Sequence, residues 1–190
     1  MSATLRRPGR PRSEPARRAV LHAVDDMLVE VGYAAMTMKG IAERAGVGRQ
    51  TVYRWWSSKA EILLEACAED IQEEVATPPH PDPAASLLGY LRALTAFLGT
   101  APAGLAYRAL IGEAQHDPAV RDLVNQADLL TASARDVLES ARPAAPGMPG
   151  LSLATAQLTG PVISQILTAP EPLSPDLLRE HVAALLRAWR

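Results

Sequence analysis

The sequence predicts an all-α protein, and three observations carry that prediction. Apolar residues recur at helical spacing in nearly every long segment, and no segment alternates convincingly as a strand. An Asp or Ser followed by Pro, at residues 82–83, 117–118 and 174–175, repeats one helix-start signal three times. At 190 residues the chain can bury a substantial core without help from metals or disulfides.

The elements follow in order. A first helix is expected from about Glu14 to Val31, with Ser13 as N-cap, one face of Val20, Val24, Met27, Leu28 and Val31, and Gly32 as its end. Thr37 is placed to cap a short second helix through about Ala45, with Ile41, Ala42 and Ala45 inward, and Gly46 offers positive φ for the turn that follows. A third helix begins near Arg49 and runs to about Trp56. Ser58 caps the fourth, whose stripe is Ala60, Leu63 or Leu64, Cys67, Ile71 and Val75. The proline-rich stretch 77–83 reads as a linker. Beyond it come a fifth helix from Asp82 and Pro83, a sixth over about Leu105–Gln115, and a seventh from Asp117 and Pro118 to Ala141. The seventh carries Val120, Leu123, Val124, Ala127, Leu130, Val137 and Leu138 as its apolar stripe. An eighth helix, about Leu151–Thr168, is expected to bend at Pro161. Ser174 and Pro175 open the ninth, which reaches Trp189. The organisation is then a basic flexible arm (1–13), a small helical unit with its connecting helix (14–76), and a larger helical domain (84–190).

Charge is unevenly shared. Residues 1–66 hold eleven Lys or Arg against seven Asp or Glu, whereas residues 67–190 hold eight against fourteen. A basic start suits a polyanion, and an acidic remainder suits a region that stays away from it. The longest charge-free stretch, 143–170, contains five prolines and three glycines, which makes it a poor spanning helix; no membrane partner is expected. The segment after Ala19 is interrupted by Asp25, Asp26 and Glu30, against a signal peptide. The single Cys67 agrees with a reducing compartment, and a cytoplasmic location is expected.

The chain has only eight aromatic residues, yet Tyr53, Trp55 and Trp56 stand together beside Arg49, Arg54 and Lys59 in "GRQTVYRWWSSK". Two short helices joined by "GVG" after a longer one make a helix-turn-helix unit. If Val52 and Trp56 form the inward i, i+4 pair, Arg49, Gln50 and Tyr53 face out, with Thr51 near the helix start. Arg can fork onto guanine O6 and N7, Gln can pair with adenine, and Thr can meet a thymine methyl or a phosphate. The Tyr53 hydroxyl and the Lys59 ammonium suit the phosphate backbone. Trp55 fits either side of the helix.

The run "GIAERAGVGRQTVYRWWSSKAEIL", extended upstream by "VEVGYAAMTMKGIA", resembles the DNA-binding signature of the tetracycline-repressor (TetR) family of bacterial transcription regulators over residues 14–66. The resemblance implies an all-helical homodimer whose first three helices bind DNA, whose fourth connects, and whose carboxy-terminal domain binds an effector and dimerises through its last two helices. It also implies DNA contact at Thr37, Arg49, Gln50, Thr51, Tyr53, Trp55 and Lys59. Gly48 departs from a frequent serine N-cap and Trp55 from a frequent histidine. "LIGEAQHDPAVR" and "LTGPVISQIL" resemble the family more loosely and imply no particular effector. Ahead of this unit, "RRPGRPR" looks like an AT-hook, in which Arg10 and Arg12 enter a narrow minor groove.

The remaining residues give weaker signals. The four histidines form no metal set, no cofactor is expected, and no nucleophile elbow or phosphate-cradling glycine loop is present. Tyr90, Tyr107, Arg108, Glu113, Gln115 and His116 lie among apolar stripes and are candidates to line a cavity, without an effector-binding set being assigned. The seam Leu178, Val182, Leu185 and Trp189, with Val162, Ile166 and Leu167, is expected to form a four-helix dimer interface. The whole predicts a dimeric, ligand-responsive transcription regulator, a repressor that a small molecule releases from a palindromic operator in double-stranded DNA. The alternatives are a constitutive architectural DNA binder and a helical enzyme.

Overall fold

The computed structural model describes residues 13–78, 80–169 and 171–190. Among them it contains ten α-helices and one short 3-10 turn, and no strand: α1 (Glu14–Ala35), α2 (Met38–Arg44), α3 (Arg49–Trp55), α4 (Lys59–Glu74), α5 (Pro83–Thr100), α6 (Pro102–Glu113), α7 (Pro118–Ala127), α8 (Leu129–Ala141), α9 (Leu151–Thr168) and α10 (Pro175–Ala188). The chain divides into two compact units, and the boundary between Ile62 and Leu63 falls inside α4.

In the first unit α2 packs on α1 and α3 on α2. Its core includes Val20, Val24, Leu28, Ile41, Val52 and Trp56, all nearly inaccessible. The inward stripe of α1 centres on Val20, Leu21, Val24 and Leu28, three and four residues apart. Val31, beside a break in the helix, is instead exposed, contrary to the face read from spacing. That break is Gly32, whose φ of 74° and ψ of 163° leave the helix before one further turn closes at Met36. Ser13 occupies the N-cap, but its side chain makes no capping bond.

In the second unit α5 is the central element, packed against α6, α8, α9 and α10. Leu87, Tyr90, Leu91, Leu94, Phe97 and Leu98 turn its inner side into the core. The start signals act as expected: Asp82 and Asp117 accept from the amides of Ala84 and Ala119, and Ser174 accepts from that of Leu177. α6 begins earlier than its apolar pattern implies, at Pro102, because proline suits a first helical turn whose amide is unpaired anyway. Where α5 and α6 meet, Gly104 is buried, and a Cβ on it would stand 1.9 Å from the Phe97 carbonyl oxygen.

The single seventh helix expected from the sequence is two. Asp128, at φ 43° and ψ 46°, ends α7 in the left-handed conformation, which Asp tolerates better than most side chains. The break shifts the phase of the stripe: Leu129, Thr131, Ala134, Leu138 and Ala141 are buried, while Leu130 and Val137 are only partly so. α9 keeps Pro161 inside one helix.

Most of the expected dimer seam needs correction, although Leu167 is exposed as expected. Val162, Leu178, Val182 and Trp189 are buried within their own chain, and the Trp189 indole donates to Gln157 Oε1 at 2.8 Å. The apolar groups that α9 and α10 present outward are Leu153, Leu167 and Leu177. Among the described residues no single helix is long and apolar enough to cross a membrane; α5 and α6 pass that test only together, across a 78° bend.

Candidate nucleic-acid interface

The turn before α3 is built from backbone bonds. Gly46 at φ 63° reverses the chain, its amide bonds to the Glu43 carbonyl at 3.2 Å, and the Val47 amide bonds to that of Ala42 at 3.0 Å. The preceding helix α2 is capped by Thr37, whose Oγ1 accepts from the Gly40 amide at 3.0 Å. α3 then starts from Gly48 without a side-chain cap, its Thr51 amide held by the Gly48 carbonyl at 2.8 Å.

Val52 and Trp56 anchor this short helix inward, at 0% and 2% exposure. The opposite side carries Arg49, Gln50 and Tyr53, all exposed, with Thr51 half-buried. Trp55 takes an intermediate position: half-buried, its ring meets Trp56 edge-on at 5.6 Å between centroids, and the Arg54 guanidinium lies 5.8 Å from its centroid.

Arg49 is not a bare cation. Its Nη2 donates to Glu43 Oε1 at 2.8 Å, and Lys39 lies 3.9 Å from the same oxygen. The Arg49 hydrogen bond, with the nearby Lys39 and Arg49 charges, holds the Glu43 carboxyl below its ordinary pKa. Any anion approaching Arg49 therefore competes with Glu43.

Lys59 is the largest difference from the sequence reading, which gave its ammonium to phosphate. Nζ donates to the carbonyls of Tyr33 at 2.7 Å and Met36 at 3.1 Å, and lies 4.1 Å from the Tyr33 ring centroid. Two of its three donors thus close the end of α1, leaving one for another acceptor. The adjoining cap of α4 is reciprocal: Ser58 Oγ accepts from the Glu61 amide at 3.2 Å, while Glu61 accepts from the Ser57 amide at 2.8 Å and from its hydroxyl.

Arg44 has a role that the sequence reading missed. Its guanidinium forks onto Glu30, at 2.7 and 2.5 Å, with Asp26 at 3.5 Å, and so ties α2 to α1. The hydrogen bond lowers the Glu30 pKa and raises that of Arg44. A separation of fourteen residues between the partners hides the pair from any helical-spacing rule. Arg10 and Arg12, like nearly all of the expected arm, lie outside the described residues.

The second unit offers a different kind of site. Tyr90 Oη lies 3.0 Å from Ser133 Oγ, which in turn donates to the Leu130 carbonyl, so the phenol donates to the serine. Burial pushes the Tyr90 pKa up to about 12, so the phenol stays neutral. The pair borders a cavity of about 230 Å³ whose other walls include Ile71, Val75, Asp136 and Val137. Of the remaining cavity candidates, Tyr107 is buried and Arg108 half-buried, whereas Gln115 and His116 are exposed. Ser133 and Asp136 were missed because the phase of α8 depends on the break at Asp128.

Two family models match this chain: bacterial regulatory proteins of the tetR family over residues 20–66, and the tetracyclin repressor-like carboxy-terminal domain over residues 77–185. The HTH-type transcriptional regulator YdeS of Bacillus subtilis is 35% identical over 109 residues, which are 57% of this chain and 54% of that one. The HTH-type transcriptional repressor KstR of Rhodococcus jostii is 36% identical over 70 residues, 35% of this chain and 33% of its own. The chain thus spans about half or less of the length of these two relatives. The crystal structure of the TetR family transcription regulator SCO0332 superposes with a TM-score of 0.77 at 31% identity, covering 92% of this chain and 98% of that one.

Proposed function

Because the chain belongs to the tetR family of bacterial regulatory proteins, we propose that it is a ligand-responsive, sequence-specific DNA-binding transcription regulator, a repressor that a small molecule releases from a palindromic operator. The observation that carries this reading is α3, anchored inward by Val52 and Trp56 with Arg49, Gln50 and Tyr53 exposed on its other side. Lying in the major groove, that side puts the Arg49 fork on guanine and Gln50 on adenine. Thr37, Thr51, Tyr53, Trp55 and the third donor of Lys59 take phosphate or base-edge contacts, and these fix the register. Arg10 and Arg12 follow the adjacent minor groove.

Two heads on one palindrome require two copies, with half-sites about 34–36 Å apart. Leu153, Leu167 and Leu177, exposed on α9 and α10, support a homodimer through the outward faces of these helices. Repression rather than activation is carried over from KstR, the relative named a repressor. These relatives are transcriptional regulators, which favours a binding role over catalysis, and a double-stranded DNA partner supports a cytoplasmic location.

The test is selection of the full chain on a random duplex library, followed by titration of the enriched and a scrambled duplex. The expected result is a palindromic consensus, and an Arg49→Ala variant that loses about 1 to 3 kcal/mol of discrimination while binding scrambled DNA nearly as before. No consensus at all would leave the architectural reading in its place. Undiminished discrimination by Arg49→Ala would remove α3 as the reading element.

A further inference from the structure

The second unit contains another cleft, separate from the cavity at Tyr90 and Ser133. Its volume is about 600 Å³, and it is walled by α5, by Arg108 of α6 and by the connection from α9 to α10. Arg92, Thr95, Ala96 and Gly99 stand at i, i+3, i+4 and i+7 and so share one side of α5. The floor is aliphatic: Ile166 and Leu178 are buried, and Leu173 is half-buried.

The polar groups of this cleft divide into acceptors and donors. Thr95 and Thr100 spend their hydroxyl protons on the carbonyls of Leu91 at 2.7 Å and Ala96 at 3.0 Å, so they can offer a ligand only acceptor lone pairs. The donors are the two guanidiniums. Arg108, half-buried, makes one long bond, 3.4 Å to the Leu98 carbonyl, and among the described residues neither Arg92 nor Arg108 pairs with a carboxylate. Glu171 is the one acidic group in the lining, against the two arginines. A partly desolvated guanidinium with unused donors favours an anion. No aromatic ring lies in the lining to stack a nucleobase, and the residual positive charge disfavours a cation.

We propose that this cleft binds an amphipathic organic anion, with its carboxylate on Arg108 and Arg92 and its apolar body over Ile166, Leu173 and Leu178. This deepens the proposed function and rests on it in one respect, the reading of the helical unit as the effector-binding part. The volume falls within the range of small-molecule sites. An aliphatic floor beside two cationic groups matches a carboxylate carried on a hydrocarbon or aryl body.

Calorimetric titration of the full chain with decanoate and naphthaleneacetate, each against an uncharged counterpart, decanol and naphthaleneacetamide, tests the assignment. At least one carboxylate should bind once per chain and at least tenfold more tightly than its counterpart, and Arg108→Gln should weaken it tenfold or more. Gly99→Leu gives an independent block: a Cβ at 99 meets nothing within 4 Å, so the variant keeps the fold while its side chain occupies the cleft. The proposal is overturned if neither carboxylate outbinds its counterpart, or if Arg108→Gln and Gly99→Leu both leave binding unchanged. Operator affinity measured in parallel separates the two readings. Carboxylate binding that leaves operator affinity untouched upholds the cleft and removes the effector role.

Discussion

The two units of this chain keep their chemistry in opposite places. In the unit ending at Ile62 the informative groups project outward from one short helix, and the interior beneath them is apolar: Val52, Trp56 and Ile41 are nearly inaccessible while Arg49, Gln50 and Tyr53 are exposed. In the unit from Leu63 onward the polar groups of interest face inward, as the Tyr90–Ser133 pair and the half-buried Arg108 do. An outward site depends on the phase of one helix, whereas an inward one depends on how several helices pack. The first can be read along the chain, and the second requires three-dimensional structure.

The strongest test of that division is to damage one interior at a time. Trp56→Ala removes a large buried side chain from the first unit and should cost about 3 to 5 kcal/mol there, whereas Leu138→Ala, fully buried in the second, should cost about 2 to 5 kcal/mol. Hydrogen exchange resolved along the chain is the measurement. Protection should fall in α1–α3 for the first variant and in α5–α10 for the second; equal losses throughout both units would show one cooperative body rather than two.

A smaller effect sharpens the picture at the seam of α1. Lys59→Met removes two bonds to backbone carbonyls and the cation beside Tyr33. Allowing for the partial exposure of Lys59, the loss of stability should be about 1 to 2 kcal/mol. Denaturant unfolding in the absence of DNA distinguishes this clamp from a residue that touches phosphate alone, for which unfolding would be unchanged.

The smallest expected effect concerns Glu43, which accepts from the Arg49 guanidinium proposed to read DNA. The pair lowers a pKa that is already acidic, so at neutral pH Glu43 is ionised both in and out of the pair, and breaking the pair there takes up no proton. The pair's contribution is complete above the ordinary carboxylate pKa and disappears as pH falls through the lowered one. Operator affinity should therefore show no dependence on this pair between about pH 5 and 8. Glu43→Gln should tighten binding to scrambled DNA a few-fold at low salt by freeing Arg49 and removing a negative charge. Fluorescence anisotropy over a salt and pH series measures both, and weaker scrambled binding by the variant would mean that Glu43 positions Arg49 rather than competing for it.

Legibility followed the range of the interaction. Capping by Thr37, Asp82, Asp117 and Ser174 could be read from sequence because each bond spans two or three residues. The Lys59 clamp could not, since its acceptors lie 26 and 23 residues upstream. Nor could the break at Asp128, where neither Gly nor Pro interrupts the apolar pattern. Periodicity identified Leu178, Val182 and Trp189 as an apolar face and gave it to a second copy, whereas their own chain covers it. Trp55, left open between core and surface, is half-buried.

Gly99 and Gly104 stand five positions apart and have opposite freedoms. At 104 any side chain would collide with the backbone of Phe97, so the elbow between α5 and α6 admits a single residue type; at 99 a Cβ meets open space. Lineages descended from this sequence can therefore vary position 99 and its neighbours along the cleft while the elbow holds the helices in place. If the cleft binds as proposed, which molecules it accepts can change without rebuilding its frame.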